Sequence, residues 1–135
     1  MHYIAALYKE KRQEVPVKDI IFNFEYLAPK TVKEALKLLS KYDEDERKII
    51  AGGQSLNILM KQRLVTPKYL IDIKGVSELD YIKFDKKEGL KIGALTTHRS
   101  IETSPVIKKE CLVLREMENN VSSVETRNWG TIGGN

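Results

Sequence analysis

Cysteine is almost absent: Cys111 stands alone in 135 residues. That excludes an internal disulfide framework and any metal or iron–sulfur centre built from this chain's own thiolates. Long apolar runs are missing too, since no stretch approaches the roughly 20 residues that cross a bilayer. The opening MHYIAALYKEKRQ has only Tyr3 to Tyr8 as an apolar patch. It lacks a basic lead-in and a small-residue cleavage site, so it does not read as a signal peptide. There is no H-x-x-x-H spacing and no carboxylate cluster, so no metal site is expected. Charge of one sign is scarce as well. The net +4 comes from 23 basic and 19 acidic residues, interleaved rather than gathered in a stripe, which argues against a nucleic-acid partner. The cytoplasm is the default compartment. What remains, 41% apolar and 31% charged residues, is the composition of a folded globular chain.

Residues 1–21 read as an N-terminal arm. Phe22 to Leu27 alternates large apolar and polar residues, the pattern of a half-buried strand. Thr31 and Glu34 form a capping box, and Val32, Ala35, Leu36 and Leu39 continue a helix to about Tyr42. Asp43 to Lys48 is a solvated loop. The stretch Lys48 to Lys61 organises the chain: Ile49 to Ala51 is a buried strand, and Gly52-Gly53 turns sharply. Ser55 is an N-cap candidate for a helix with Leu56, Leu59 and Met60 on one face. Lys61 and Arg63 behind it read as a solvated face. Such a strand, turn and helix start offers main-chain N–H groups to an anion, above all a phosphate. Gly-Gly-Gln-Ser fits neither the dinucleotide fingerprint nor the phosphate loop, and a plain strand-to-helix turn stays equally open. Pro67 precedes a third strand, Tyr69 to Ile73, so the order β-α-β-α-β predicts parallel pairing.

After Gly75 the pattern changes. Tyr81–Phe84 and Leu90–Ala94 predict a hairpin around Asp85–Gly89. Thr96 or Thr97 can cap the next turn. Ser104-Pro105 starts a helix that the stripe Ile107, Cys111, Leu114, Met117 carries to Asn119, with Cys111 in the core. The remaining residues are small and polar and stop within a second glycine turn, Gly133-Gly134. Two such turns facing each other across a cleft would grip a pyrophosphate from both sides with main-chain donors. His98 reads as a capping or surface residue. Trp129 either stacks on a ligand or packs beneath the second turn. Arg127 meets either a phosphate or a carboxylate between lobes.

Ala-Gly-Gly-Gln-Ser-Leu at 51–56, Gly-Ala-Leu-Thr-Thr-His at 93–98 and Arg-Asn-Trp-Gly-Thr-Ile-Gly-Gly-Asn at 127–135 occur in this order. Together they closely resemble the FAD-binding flavoprotein (medium) subunit of the molybdenum hydroxylases, the family of carbon monoxide dehydrogenase and the xanthine dehydrogenase FAD domain. The resemblance covers about residues 22–135. It implies an α+β, two-lobed FAD-binding fold of the PCMH or vanillyl-alcohol-oxidase type. A small βαβαβ lobe at 22–74 would adjoin an incomplete second lobe with antiparallel strands at 75–135. It implies a first phosphate loop of Ala51, Gly52, Gly53, Gln54, Ser55 and Leu56. The second would be Thr131, Ile132, Gly133, Gly134 and Asn135, with Thr96 and Thr97 nearer the flavin end. No catalytic side chain is implied, because the flavin carries the redox step. Molybdopterin and [2Fe–2S] are expected on separate large and small partner subunits, with NAD, a quinone or oxygen as acceptor. The sequence departs from the family in a longer lead-in and in stopping at the second turn. A truncated chain, or a second polypeptide completing the FAD domain, is the expectation. A flavin-free remnant that only docks to partner chains is the alternative.

Overall fold

The computed structural model describes residues 23–134. The expected arm at 1–21, Phe22 and Asn135 lie outside the described residues. Strands β1 (Glu25–Leu27), β2 (Arg47–Ile50) and β3 (Tyr69–Asp72) form a parallel sheet in the order β1-β3-β2. Helices α1 (Val32–Lys41) and α2 (Leu56–Lys61) make the crossovers, as the alternation of strands and helices predicts. Tyr69 sits opposite both Glu25 and Arg47, so β3 is central. Being covered on both sides, it buries Leu70 and leaves Ile71 fully enclosed.

Thr31 starts α1, its Oγ1 accepting from the Glu34 amide at 3.1 Å, a cap worth about 1 kcal/mol. The Glu34 carboxylate turns back onto the Lys30 amide at 2.8 Å, one residue ahead of the capping-box partner. Past the helix the Tyr42 ring stacks on Tyr69, centroids 3.8 Å apart. Part of the stretch expected as a solvated loop is strand: β2 starts at Arg47, which pairs with Tyr69, and stops at Ile50 rather than Ala51. Its exposed residue is Ile49, at 47%, while Arg47, Lys48 and Ile50 are half-buried. The expected buried strand at Ile49 to Ala51 is therefore only partly covered, as an outer strand with one free edge allows.

The second half holds the predicted hairpin, β4 (Ile82–Asp85) against β5 (Gly89–Ile92). Four short helices come next: α3 (His98–Thr103), α4 (Pro105–Glu110), α5 (Leu112–Asn119) and α6 (Val124–Trp129). Helix α3 packs on α4, α5 and α6, and Ile101 and Ile107 are fully enclosed. The single helix expected over 104–119 is two. Cys111 takes φ −153° and ψ 70° and breaks it, so the stripe does not continue across the break. Cys111 is only half-buried, Met117 is 62% exposed, and Glu118 takes the buried position instead. The last helix escapes an apolar-periodicity reading because its buried residue is charged, Arg127. Among the described residues no helix is long and apolar enough to cross a membrane.

Candidate functional site

The two glycine turns meet. The first leaves β2 and lies against the main chain of Trp129 and Gly130. A Cβ on Gly52 would stand 1.9 Å from the Trp129 carbonyl oxygen, so only glycine fits. Gly53 then turns the chain at φ +74°, the left-handed region that favours glycine. The Asn57 amide donates to Gly53 O at 3.2 Å, and the Ile58 and Leu59 amides to Ser55 O. The five amides before them, Gly52 to Leu56, make no hydrogen bond with any described residue. Ser55 occupies the N-cap position but in a helical conformation, and its side chain makes no cap bond. The expected hydroxyl cap is therefore replaced by main-chain turns, which leaves the amide row open.

The second turn differs. Thr131 bridges to Thr97, Ile132 N donates to Thr96 O at 3.0 Å, Gly133 N to Ala94 O at 2.9 Å and Gly134 N to Thr131 O at 3.1 Å. These amides are used inside the lobe, so the symmetrical grip by main-chain donors that the sequence predicts is one-sided. The second turn offers a side chain instead: Thr131 Oγ1 is buried without a partner. Thr96 is 1% exposed; its hydroxyl accepts from Tyr81 N at 3.2 Å and donates to Tyr81 O at 3.0 Å. Thr97 caps α3 by accepting from the Ser100 amide at 3.0 Å. Thr96, Thr97 and Ile132 support the second turn rather than face the space between the turns.

That space is a hollow of about 560 Å³. Ala51 through Leu56 line one side and Thr131, Gly133 and Gly134 the other, with Ile50, Leu95 and Val121 among the apolar walls. No lysine or arginine lines it among the described residues. Lys74 instead lies over the Trp129 ring, 3.6 Å from its centroid, and that ring is 53% exposed. Arg127 takes the carboxylate partner left open by the sequence, but within its own lobe. Its Nε donates to Glu102 Oε2 at 3.0 Å, and Nη1 to Val121 O and Ser122 O at 2.9 and 3.0 Å. The hydrogen bond from Arg99 holds the Glu102 carboxyl below its ordinary value; burial pulls the other way, and Arg127 adds to the lowering. His98 is neither a surface residue nor a cap. It is 4% exposed, lines the hollow, and meets Glu118 Oε2 through Nδ1 at 2.6 Å. Glu118 lies 20 residues away behind an unforeseen helix break, and no local spacing signals the pair.

A row of unpaired amides runs along one side of the hollow, with an unpartnered hydroxyl buried in the turn on the other side and no fixed cation beside them. That suits a phosphate-bearing ligand held by neutral donors. The apolar walls suit an attached organic group. The residues present therefore fit a flavin dinucleotide. Residues 22–135 match the model of the FAD binding domain in molybdopterin dehydrogenase. The nicotinate dehydrogenase FAD-subunit of Eubacterium barkeri is 42% identical over 113 residues, 84% of this chain and 38% of that protein. The carbon monoxide dehydrogenase medium chain of Hydrogenophaga pseudoflava is 40% identical over 111 residues, 82% of this chain and 38% of that protein. The solved carbon monoxide dehydrogenase of H. pseudoflava superposes with a TM-score of 0.78 at 39% identity, covering 83% of this chain and 38% of that one. Quinoline 2-oxidoreductase from Pseudomonas putida 86 gives 0.77 at 38% identity, over 82% and 38% of the respective chains. This chain thus spans 38% of the length of each of these relatives. With an α+β fold, both glycine turns and the match from residue 22 to residue 135 in agreement, the chain belongs to the FAD-binding domain family of the molybdopterin dehydrogenases.

Proposed function

We propose that this chain is the FAD-binding part of a molybdenum hydroxylase medium subunit, with the cofactor's diphosphate between the two glycine turns. The observation that carries this reading is the row of five unpaired amides, Gly52 to Leu56, across one hollow from the orphan Thr131 hydroxyl. The small α/β lobe (22–74) supplies the main-chain donors, Gly52 to Leu56, which follow β2 and Ala51. The second lobe (75–135) supplies Thr131. There Gly133 and Gly134 let the chain come close, while Thr96, Thr97 and Ile132 brace the turn. Asn135 joins it by resemblance.

What FAD supplies when bound is redox chemistry: electrons received from a [2Fe–2S] small subunit, itself reduced by a molybdopterin large subunit, go on to NAD, a quinone or oxygen. This chain's own residues bind and orient, and none is assigned acid–base work. The cytoplasm is the proposed compartment. A docking-only role draws on one observation, the exposed apolar residues Leu112, Val113, Met117 and Val124.

Gly53→Asp separates the readings, because it adds a negative charge to the turn that carries the five open amides. Its Cβ would meet the Asn57 side chain at 2.7 Å, a flexible end that can give way. Gly89→Asp is the control: its φ of +79° carries the same backbone strain, with nothing within 4 Å. Under the FAD reading Gly53→Asp loses flavin, measured by fluorescence quenching or retained yellow colour, and Gly89→Asp keeps it. Equal flavin retention in both variants, or a colourless reassembled complex, refutes it. Unchanged subunit docking by a flavin-free chain would support the alternative.

A further inference from the structure

Among the described residues, His98 is the one titratable side chain lining the hollow. It is fixed at both ends. Its amide donates to Gly130 O at 3.1 Å, and its ring packs on Gly130, where an added Cβ would stand 3.0 Å from Cδ2 and 3.5 Å from Nε2. Nδ1 meets Glu118 at 2.6 Å, with both side chains 5% exposed. A carboxylate at that distance makes Nδ1–H the donor and sets the ring's orientation. Nε2 makes no hydrogen bond with any described residue and, unlike Thr131 Oγ1, is not sealed off. His98 Nε2 is therefore the open, unpaired side-chain group on the side of the hollow away from the amide row.

The other charges around α3 are committed elsewhere. On α3 itself Arg99 pairs with Glu102 at 2.9 Å. From α6, Arg127 joins Glu102, and Glu125 lies in the first turn of that helix. From α5, Arg115 donates to Glu102 O at 3.1 Å, with Glu116 exposed beside it. From α4, Lys109 pairs with Glu110 at 2.9 Å, and Lys108 is exposed. Only Glu118 bonds to the His98 ring.

Resting on the FAD reading, we infer that His98 is a further cofactor-binding residue: its Nε2 donates a hydrogen bond to a phosphate oxygen of the dinucleotide, and Glu118 positions it. With Nδ1–H donating to Glu118, Nε2 donates only when the ring carries its second proton. A diphosphate selects that form, and the bond is charge-assisted.

Titration of the full chain with FAD tests this in the unaltered protein, His98→Gln and Glu118→Gln. His98→Gln should bind FAD about tenfold more weakly. Glu118→Gln should weaken binding in the same direction, because the carboxylate that orients the ring is gone. Where a variant does not fold, the unaltered protein labelled with 15N-histidine decides. FAD or inorganic pyrophosphate should shift the Nε2 signal of one of the two histidines. FAD bound with both Nε2 signals unmoved, or His98→Gln binding like the unaltered protein, overturns the inference and leaves the FAD reading standing. If the unaltered protein fails to bind FAD even in the reassembled complex, both fall.

Discussion

Gly52→Ala tests the junction on which the hollow depends. The new Cβ would lie 1.9 Å from Trp129 O, 2.7 Å from Trp129 C and 3.0 Å from Gly130 Cα. Ordinary contact starts near 3.4 Å, so the two turns must part by about 1.5 Å. All three obstacles are main chain, which no rotamer change relieves. Overpacking typically costs 1–3 kcal/mol, and backbone obstruction puts this case at about 3 kcal/mol. For a chain of this size that is a fall in Tm of about 10 °C. Gly89→Ala is the reference, strained by its φ of +79° but with open space around it, at about 1 kcal/mol. Urea unfolding followed by circular dichroism measures both, and FAD affinity should drop only in Gly52→Ala. If Gly52→Ala proves no less stable than Gly89→Ala, the close approach of the turns is wrong.

Thr131→Val removes a buried hydroxyl that has no partner, so unfolding stability should hold or rise by about 1 kcal/mol. FAD affinity should fall at the same time; a stability loss with unchanged affinity would count against Thr131 as a ligand group. The depressed Glu102 carboxyl gives a pH signature. The stability it contributes is full above its ordinary value of 4.5 and is lost as pH falls through the lowered one. Acid unfolding curves should therefore show a drop below about pH 4.5 that Glu102→Gln lacks. A variant with the same acid limb would show that the Arg99–Glu102–Arg127 group is not the cause.

The parallel sheet, its crossovers and the hairpin were legible because each rests on local chemistry: alternation in β1, the Thr31 cap, and glycine at Gly53 and Gly89. Both glycine turns could be read as ligand loops, and they do share one hollow. What each turn offers could not be read. Whether an amide is open depends on carbonyls distant in sequence, such as Ala94 O and Thr96 O for Gly133 and Ile132. The break at Cys111 and the burial of Glu118 and Arg127 belong to the same class. Their apolar or charged character describes single residues, whereas burial here is settled by pairs, His98 with Glu118 and Arg127 with Glu102. Such pairs leave no period in the sequence.

Trp129 is the chain's single tryptophan, and it stands where Gly52 and Lys74 of one lobe touch the other. Indole emission therefore comes from one side chain at the seam, with an ammonium group against its face. Any event that pries the lobes apart, or any ligand that draws them together, changes the surroundings of that one fluorophore. The protein carries its own optical gauge of closure, without a label.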